Sequence, residues 1–509
     1  MAFYNNVIAG AAGASGSAYE IQRSLRFSDD DSASLTKTFS SAGDRKRFTI
    51  SLWVKRGKLG KSYQPFFCNT NSSGTEGLYF DFSSDYLHFG EYASNGWRWQ
   101  LQSQARFRDC SAWYNIIASV DTTQATESER VKLYVNGEQI TQLYSGLNTY
   151  PSLNLDIQFN NTSLHAIGKL GANTSTAYHF DGLMAEFHFV DGAALAATDF
   201  AEIHADTGVW SPIKYTGSHN VGSGVNGFHL DFSDNSSNAA LGNDAAGSNN
   251  WTTVNNLSAT GVGVGTVGWP NKIGSPQSTY DSAATTSTVS SGTSWSTNGN
   301  QNTLHFDTQA LGTYTITFTK TGGSNNIDFE SSSSSNTGYS RVTNSSSTIT
   351  ISSTGSSQTH SYSRYVRFSG SGNGNVTFSI SGTAQGTDSA GIDSLIDSPT
   401  NYEADSGNNG GNYCTWNPLV KNRPGGTTSF NFKNGNLEVH NVANAYGVAL
   451  GTIPMSSGKW YWEVTVNGTP ENTYDYIGIV PSDSVPNYPT SGDQTESLWY
   501  RSGGTKLAG

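Results

Sequence analysis

The run Phe48-Thr49-Ile50-Ser51-Leu52-Trp53-Val54-Lys55 places Phe48, Ile50, Leu52 and Val54 on one side of an extended chain. Thr49, Ser51, Trp53 and Lys55 fall on the other side. A period of two with one apolar side is the pattern of a strand that buries one face of a sheet. It recurs at Val131-Lys132-Leu133-Tyr134-Val135, which runs into Asn136-Gly137 and then Glu138-Gln139-Ile140, the signature of a tight hairpin. It recurs again where Leu183, Ala185, Phe187 and Phe189 alternate with Met184, Glu186 and His188, before Asp191-Gly192. A helical turn is expected only between Ala193 and Ala205, with Thr198 capping a turn that holds Phe200 and Ile203. The fold class read from this pattern is all-β.

At 509 residues the chain is too long for one hydrophobic core, so several modules are expected. The 12 Trp, 25 Tyr and 24 Phe supply strands, and 56 Gly supply turns, while only 13% of residues are charged. A net charge of -12, with 28 scattered Lys and Arg, offers no basic surface for a nucleic-acid backbone. The Arg45-Lys46-Arg47 cluster reads as a solvated turn. No run approaches about 18 apolar residues, so no membrane insertion is expected. The opening MAFYNNVIAGAAGASG has neither the basic start nor the apolar run of a signal peptide. Cys68, Cys110 and Cys414 lack metal-ligand spacing, and their odd number excludes complete internal pairing; a Cys68–Cys110 bridge stays open.

Five ordered signatures carry a resemblance. They are Leu25-Arg26-Phe27, FTISLWVKRG, Trp113 to Asp121, VKLYVNGEQI, and Ile167-Gly168-Lys169 followed by YHFDGLMAEFHFVDG. In this order they resemble a concanavalin A-like, laminin G-type jelly roll over residues 21–205. The connecting β segment 206–260, with Val225 to Asn235 and Trp251 to Leu257, is similar to structural proteins of tailed phages of marine cyanobacteria. In that family such a segment leads into an Asp-Ser-Pro-Thr-Asn-Tyr stretch, found here only at Asp397 to Tyr402. The intervening residues 261–389 read as an inserted small β-sandwich, with Thr313 to Phe318, Ser347 to Ile351 and Asn375 to Ile380 alternating. After a connector at 390–430, residues 431–509 resemble a partial SPRY-like sandwich. In its strand Trp462, Val464 and Val466 would point inward, and the chain would continue beyond Gly509. The architecture expected is tandem β-sandwiches.

No H-E-x-x-H pair, G-x-S-x-G elbow or Walker loop occurs, and the ten histidines are dispersed, so the chain is read as non-enzymatic. His179, His188 and His229 are expected at the surface. The jelly-roll resemblance implies calcium as a candidate cofactor, with Asp29-Asp30-Asp31, Asp81, Asp85 and Asp181 as candidate ligands. A sugar presents an apolar face and ordered hydroxyls, so aromatic residues beside amides are candidate glycan contacts. The segment 92–100 supplies Tyr92, Asn95, Trp97 and Trp99, with alternation putting both tryptophans on one face. Residues 1–20 read as an N-terminal arm whose Phe3, Tyr4, Val7 and Ile8 anchor it in a partner.

The phage resemblance implies a virion appendage of tail-fibre type, made in the host cytoplasm. It would dock on other tail or adaptor proteins, form a homotrimer and present its sandwiches to a host-surface glycan. The alternatives are a decoration protein without a receptor role and a bacterial carbohydrate-binding adhesin.

Overall fold

A computed structural model describes residues 19–259, apart from 174, 176, 177, 206 and 207, and shorter segments of 393–479. It also describes the backbone of strands between Lys272 and Ser381 and between Tyr476 and Ala508. The anchor residues Phe3, Tyr4, Val7 and Ile8 lie outside the described residues. The chain divides into two compact units. The first comprises residues 1–260, 392–458 and 485–490, and the second comprises 261–391, 459–484 and 491–509.

The first unit is a two-layer β-sandwich. One layer is an eight-stranded sheet ordered Glu138–Gln139, Val131–Val135, Trp113–Asp121, Arg47–Arg56, Gly182–Asp191, Ser24–Phe27 and Ser394–Leu395, with Phe228–Leu230 also on Gly182–Asp191. The facing layer contains a five-stranded sheet ordered Leu143–Thr149, Gly96–Arg106, Tyr86–Ala93, Gly77–Ser83 and Gln64–Pro65. A four-stranded sheet is ordered Thr253–Asn255, Ser34–Thr38, Leu164–Ile167 and Phe67–Cys68.

Phe48, Ile50, Leu52 and Val54 enter the core between the layers, where they join Phe80, Phe89, Trp99 and Leu101 from the facing sheet. Rings close the interior edge to face: Phe67 meets Phe187 at 5.5 Å and Phe66 meets Phe80 at 5.3 Å, the orientation aromatic quadrupoles favour. The Asn136-Gly137 turn forms as expected, with φ of 50° and 81°. Gly137 also lies under Trp210, whose ring a Cβ would strike at 2.7 Å.

Alternation in the strand Gly182–Asp191 departs from the sequence reading. Met184, Phe187 and Phe189 face the main core, whereas Leu183 and Ala185 join Ile21, Trp53 and Trp113 on the outer side. A register shift between Ala185 and His188 inserts an extra residue, Glu186, at φ 47°. Such a bulge reverses the faces beyond it. His179, His188 and His229 are buried or half-buried rather than surface imidazoles.

The outer face of the eight-stranded sheet is itself covered, so Thr49, Ser51, Trp53 and Lys55 are all buried. The turn expected near Thr198 is a short 3-10 segment, Ala197–Asp199, in which the Asp199 carboxylate accepts the Ala196 N–H. A strand, Ala201–Ile203, follows it. Lys55 is neutralised at 2.7 Å by Asp397, which also accepts the Trp113 indole N–H at 3.0 Å. Cys68, Cys110 and Cys414 are free thiols, so the open Cys68–Cys110 bridge is not formed.

The second unit contains antiparallel sheets of five and four strands within residues 272–381. Backbone register aligns Ile316 with Ile380 and Phe318 with Phe378. Residues 431–509 are shared between the two units. Trp462 and Val464, expected to point inward, are 45% and 37% exposed, and 462–464 form no strand.

The long excursion after residue 259 begins and ends at one place. Asp393 N–H donates to the Ser258 carbonyl at 2.8 Å, and Ser258 N–H donates to the Asp393 carboxylate at 2.7 Å. Joining Ala259 to Asp393 through an Asn-Gly turn is therefore expected to leave the first unit folded. Equal denaturant midpoints for that unit, with and without residues 260–392, are the expected result. Aggregation of the shortened chain would contradict it.

His165 gives the fold a defined acid response. Its Nε2 accepts the Asn160 N–H at 3.1 Å and its Nδ1 lies 2.9 Å from the Ser163 carbonyl, so both nitrogens are committed to the neutral ring. Burial pushes its pKa down to about 3. The unfolded chain binds this proton near pH 6.5 and the native state refuses it, so stability falls as pH drops from about 6.5 toward 3. Imidazole NMR should show no protonation of His165 above about pH 4, and a titration near pH 6.5 would contradict the buried neutral ring.

Candidate functional site

The outer face of the five-stranded sheet is set by cross-strand register. Tyr79 pairs with Gly90 and Gly90 with Gln100, while Asp81 pairs with His88 and His88 with Gln102. Since Phe80, Phe89 and Leu101 point into the core, these neighbours point away from it. Gly90 lets the strand of Gln100 approach closely, because a Cβ there would meet the Gln100 Cβ at 2.8 Å.

A second bulge shapes this face. The register shifts between Glu91 and Tyr92, so Glu91 pairs with Trp99 but Tyr92 pairs with Trp97. The two tryptophans, expected on one face, are thereby sent to opposite faces. Trp99 is fully buried beside Phe89 at 5.1 Å and is a core residue, which removes it from the candidate glycan contacts. Trp97 is half-buried on the outer face, edge to face with His88 at 4.8 Å, Tyr79 at 5.1 Å and Tyr92 at 5.2 Å. Tyr63 and Tyr178 extend the aromatic wall. Asn95 is exposed in the adjoining turn, where Ser94 and Asn95 have φ of 54° and 64°.

Polar groups are set into this wall. Asp81 Oδ1 lies 2.9 Å from His88 Nδ1, and both residues are buried. Burial raises the Asp81 pKa, and the neighbouring His88 opposes that shift. With Nδ1 held by Asp81, the other ring nitrogen of His88 has no hydrogen bond among the described residues, and the same holds for the side-chain amides of Gln100 and Gln102. Sequence reasoning missed His88, Gln100 and Gln102. The alternating Y-x-D and H-x-G pattern on adjacent strands was the available signal, but it shows its meaning only once the register is known.

Of the aspartates proposed for calcium, Asp29 and Asp181 are neighbours, whereas Asp81 and Asp85 are held by other partners. Asp29 is held by Lys58 at 2.9 Å and Lys61 at 2.5 Å, Asp81 by His88, and Asp85 by Arg56 at 3.0 Å and Arg108 at 2.9 Å. Asp181 is buried, and burial together with the charge of Asp29 pushes its pKa up to about 7. Calcium needs six to eight oxygens around one point. Here Lys58 and Lys61 already neutralise Asp29, Arg56 and Arg108 neutralise Asp85, and His88 holds Asp81, so this acid set does not fit the ion.

Residues 27–199, about a third of the chain, match a laminin G-type family model described as the concanavalin A-like lectin/glucanases superfamily. This unit has a concanavalin A-like, laminin G-type fold. Solved structures similar to the chain include a native heptameric SAP-like pentraxin from Limulus polyphemus, with 13% identity and a TM-score of 0.26 over 35% of this chain and 80% of that one. A putative carbohydrate-binding protein from Bacteroides ovatus has 14% identity and a TM-score of 0.24, over 35% of this chain and 45% of that one. A tailspike protein of an Escherichia coli O157:H7 bacteriophage has 12% identity and a TM-score of 0.24, over 35% of this chain and 23% of that one. At these values the similarities carry no argument about function. No curated protein sequence matches the chain. No helix among the described residues is long and apolar enough to cross a membrane.

The different environments of the two tryptophans predict different costs of truncation. Trp99→Ala is expected to lose about 3–5 kcal/mol, the range for emptying an aromatic core position. Trp97→Ala, half-buried on the outer face, is expected to lose clearly less. Urea unfolding of the two variants checks this, and equal losses would place both rings in the core.

Proposed function

We propose that the chain is a carbohydrate-binding attachment protein whose sugar site is the outer face of the five-stranded sheet. One observation carries this reading: half-buried Trp97 and Tyr92 stand beside the largely buried His88, Gln100 and Gln102, whose side chains keep polar atoms without a hydrogen bond among the described residues. A ring face satisfies the apolar C–H side of a sugar, and the amides and imidazole satisfy its hydroxyls. Sites of this kind combine an apolar surface with a few placed polar groups. Asn95, at the exposed turn, is the candidate for an additional contact from the rim.

The role is binding rather than turnover. Glycoside cleavage commonly uses two carboxyl groups flanking the scissile bond. Asp81 is the one carboxylate that the described strands place on this face, and it is tied to His88. Glu91 lies on the opposite side of its strand, paired with Arg98 and accepting the Gln158 N–H at 2.8 Å.

The virion-appendage reading is a second form of the same attachment role. It is supported by the resemblance of 225–257 and 397–402 to phage structural proteins. Labelled protein or antibody on intact particles separates it from a bacterial surface adhesin.

The test of sugar binding is a glycan array followed by calorimetry on the best ligand. Trp97→Ala and Gln100→Ala are each expected to weaken binding at least tenfold while keeping the native circular dichroism spectrum. Undiminished affinity in both folded variants would reject this face.

A further inference from the structure

The bulge in the strand Gly182–Asp191 brings Glu186 to the outer face of the eight-stranded sheet, next to His188. The neighbouring strand Phe228–Leu230 places His229 directly opposite His188 in register. The result is a tight set of ligand atoms in the opposite layer from the aromatic wall. Glu186 Oε2 lies 3.2 Å from His188 Nε2 and 3.0 Å from His229 Nε2, and all three atoms fall within 4.8 Å of one another.

Two imidazole nitrogens and one carboxylate oxygen form a donor set suited to zinc and its neighbours, and unsuited to calcium. Zinc bonds of 2.0–2.1 Å in a tetrahedron put ligand atoms about 3.3–3.4 Å apart, so the two glutamate–histidine distances need to open only slightly. Around them is the support such a site requires. His219 Nε2 lies 3.0 Å from His188 Nδ1, fixing that ring with Nε2 toward Glu186. The Tyr19 hydroxyl donates to Glu186 Oε2 at 2.8 Å. The His188 and His229 rings stack at 4.0 Å. Convergence on one ion therefore requires a tilt, and His229, with 14% of its side chain exposed against 5% for His188, is the ring with room for it.

We propose that Glu186, His188 and His229 bind one divalent transition-metal ion of the zinc class, with His219 acting as the positioning residue for His188. The ion would fasten together the bulged strand, its neighbour Phe228–Leu230 and, through the outer contacts, Tyr19 and His219. Three protein ligands leave a fourth coordination position for water.

The experiment uses the full, untagged chain after chelator treatment and dialysis. Cobalt(II) is titrated with visible absorption as the readout, and zinc(II) by calorimetry. The expected result is one equivalent bound, with cobalt d–d bands in the visible region and a rise in thermal midpoint on zinc addition that calcium does not produce. His229→Gln should weaken zinc binding at least tenfold, and His219→Ala by about ten- to a hundredfold. His440→Ala, at an exposed position elsewhere, should leave binding unchanged. Metal-free thermal midpoints of the variants confirm their folding. If His229→Gln does not fold, His219→Ala decides. No cobalt bands in the parent chain would overturn the proposal, and so would parental zinc affinity in the deciding variant.

Discussion

The strand Gly182–Asp191 is buried at all ten positions and pairs with three others. A strand in that position cannot leave either face to water. One face closes against the inner aromatic layer and the other must be sealed by chain from elsewhere. The covering segments around Ala197, Phe200 and Tyr215 and around Asp397 answer that demand. Burial on both sides also fixes the register tightly, since a slip of one residue would exchange the contents of two different apolar clusters.

The covering is specified by charge as well as by apolar packing. Arg26, Lys55 and Arg56 are among the largest fully buried side chains, and each has a carboxylate partner: Asp393, Asp397 and Asp85 respectively. Buried pairs add little net stability over well-packed apolar residues, but a single misplaced partner leaves an expensive isolated charge. Two of these partners lie on the return segment after the long excursion. The sheet therefore selects which stretch of a distant part of the chain seals it.

The inner face was legible in the sequence because its alternation is uninterrupted from Phe48 to Val54, and the Asn136-Gly137 hairpin was legible because its turn geometry restricts the residues. What escaped the sequence reading was each point where one additional residue enters a strand. Glu186 has no compositional mark of a bulge, and neither does the step between Tyr92 and Trp99. Beyond such a step the faces exchange, so Trp97 and Trp99 part company and dispersed histidines become neighbours. The aspartates misled for a related reason. The Asp29-Asp30-Asp31 run suggested a cation, but Lys58 and Lys61, which neutralise Asp29, are distant in sequence and become its partners only in three dimensions. Asp397, the first residue of the Asp-Ser-Pro-Thr-Asn-Tyr stretch, lies on the return segment and pairs with Lys55.

The paired hydrogen bonds between Ser258 and Asp393 have a mechanical meaning. Tension applied to residues between them reaches the sandwich at two adjacent points, as a peeling load on a narrow clasp. The short edge strands Thr253–Asn255 and Ser394–Leu395 adjoin the clasp, while the central strands of the first unit lie further from it. A protein held at a surface through its sandwich could thus absorb a tug on the inserted strands by opening the clasp first, with the core acting as the stationary grip.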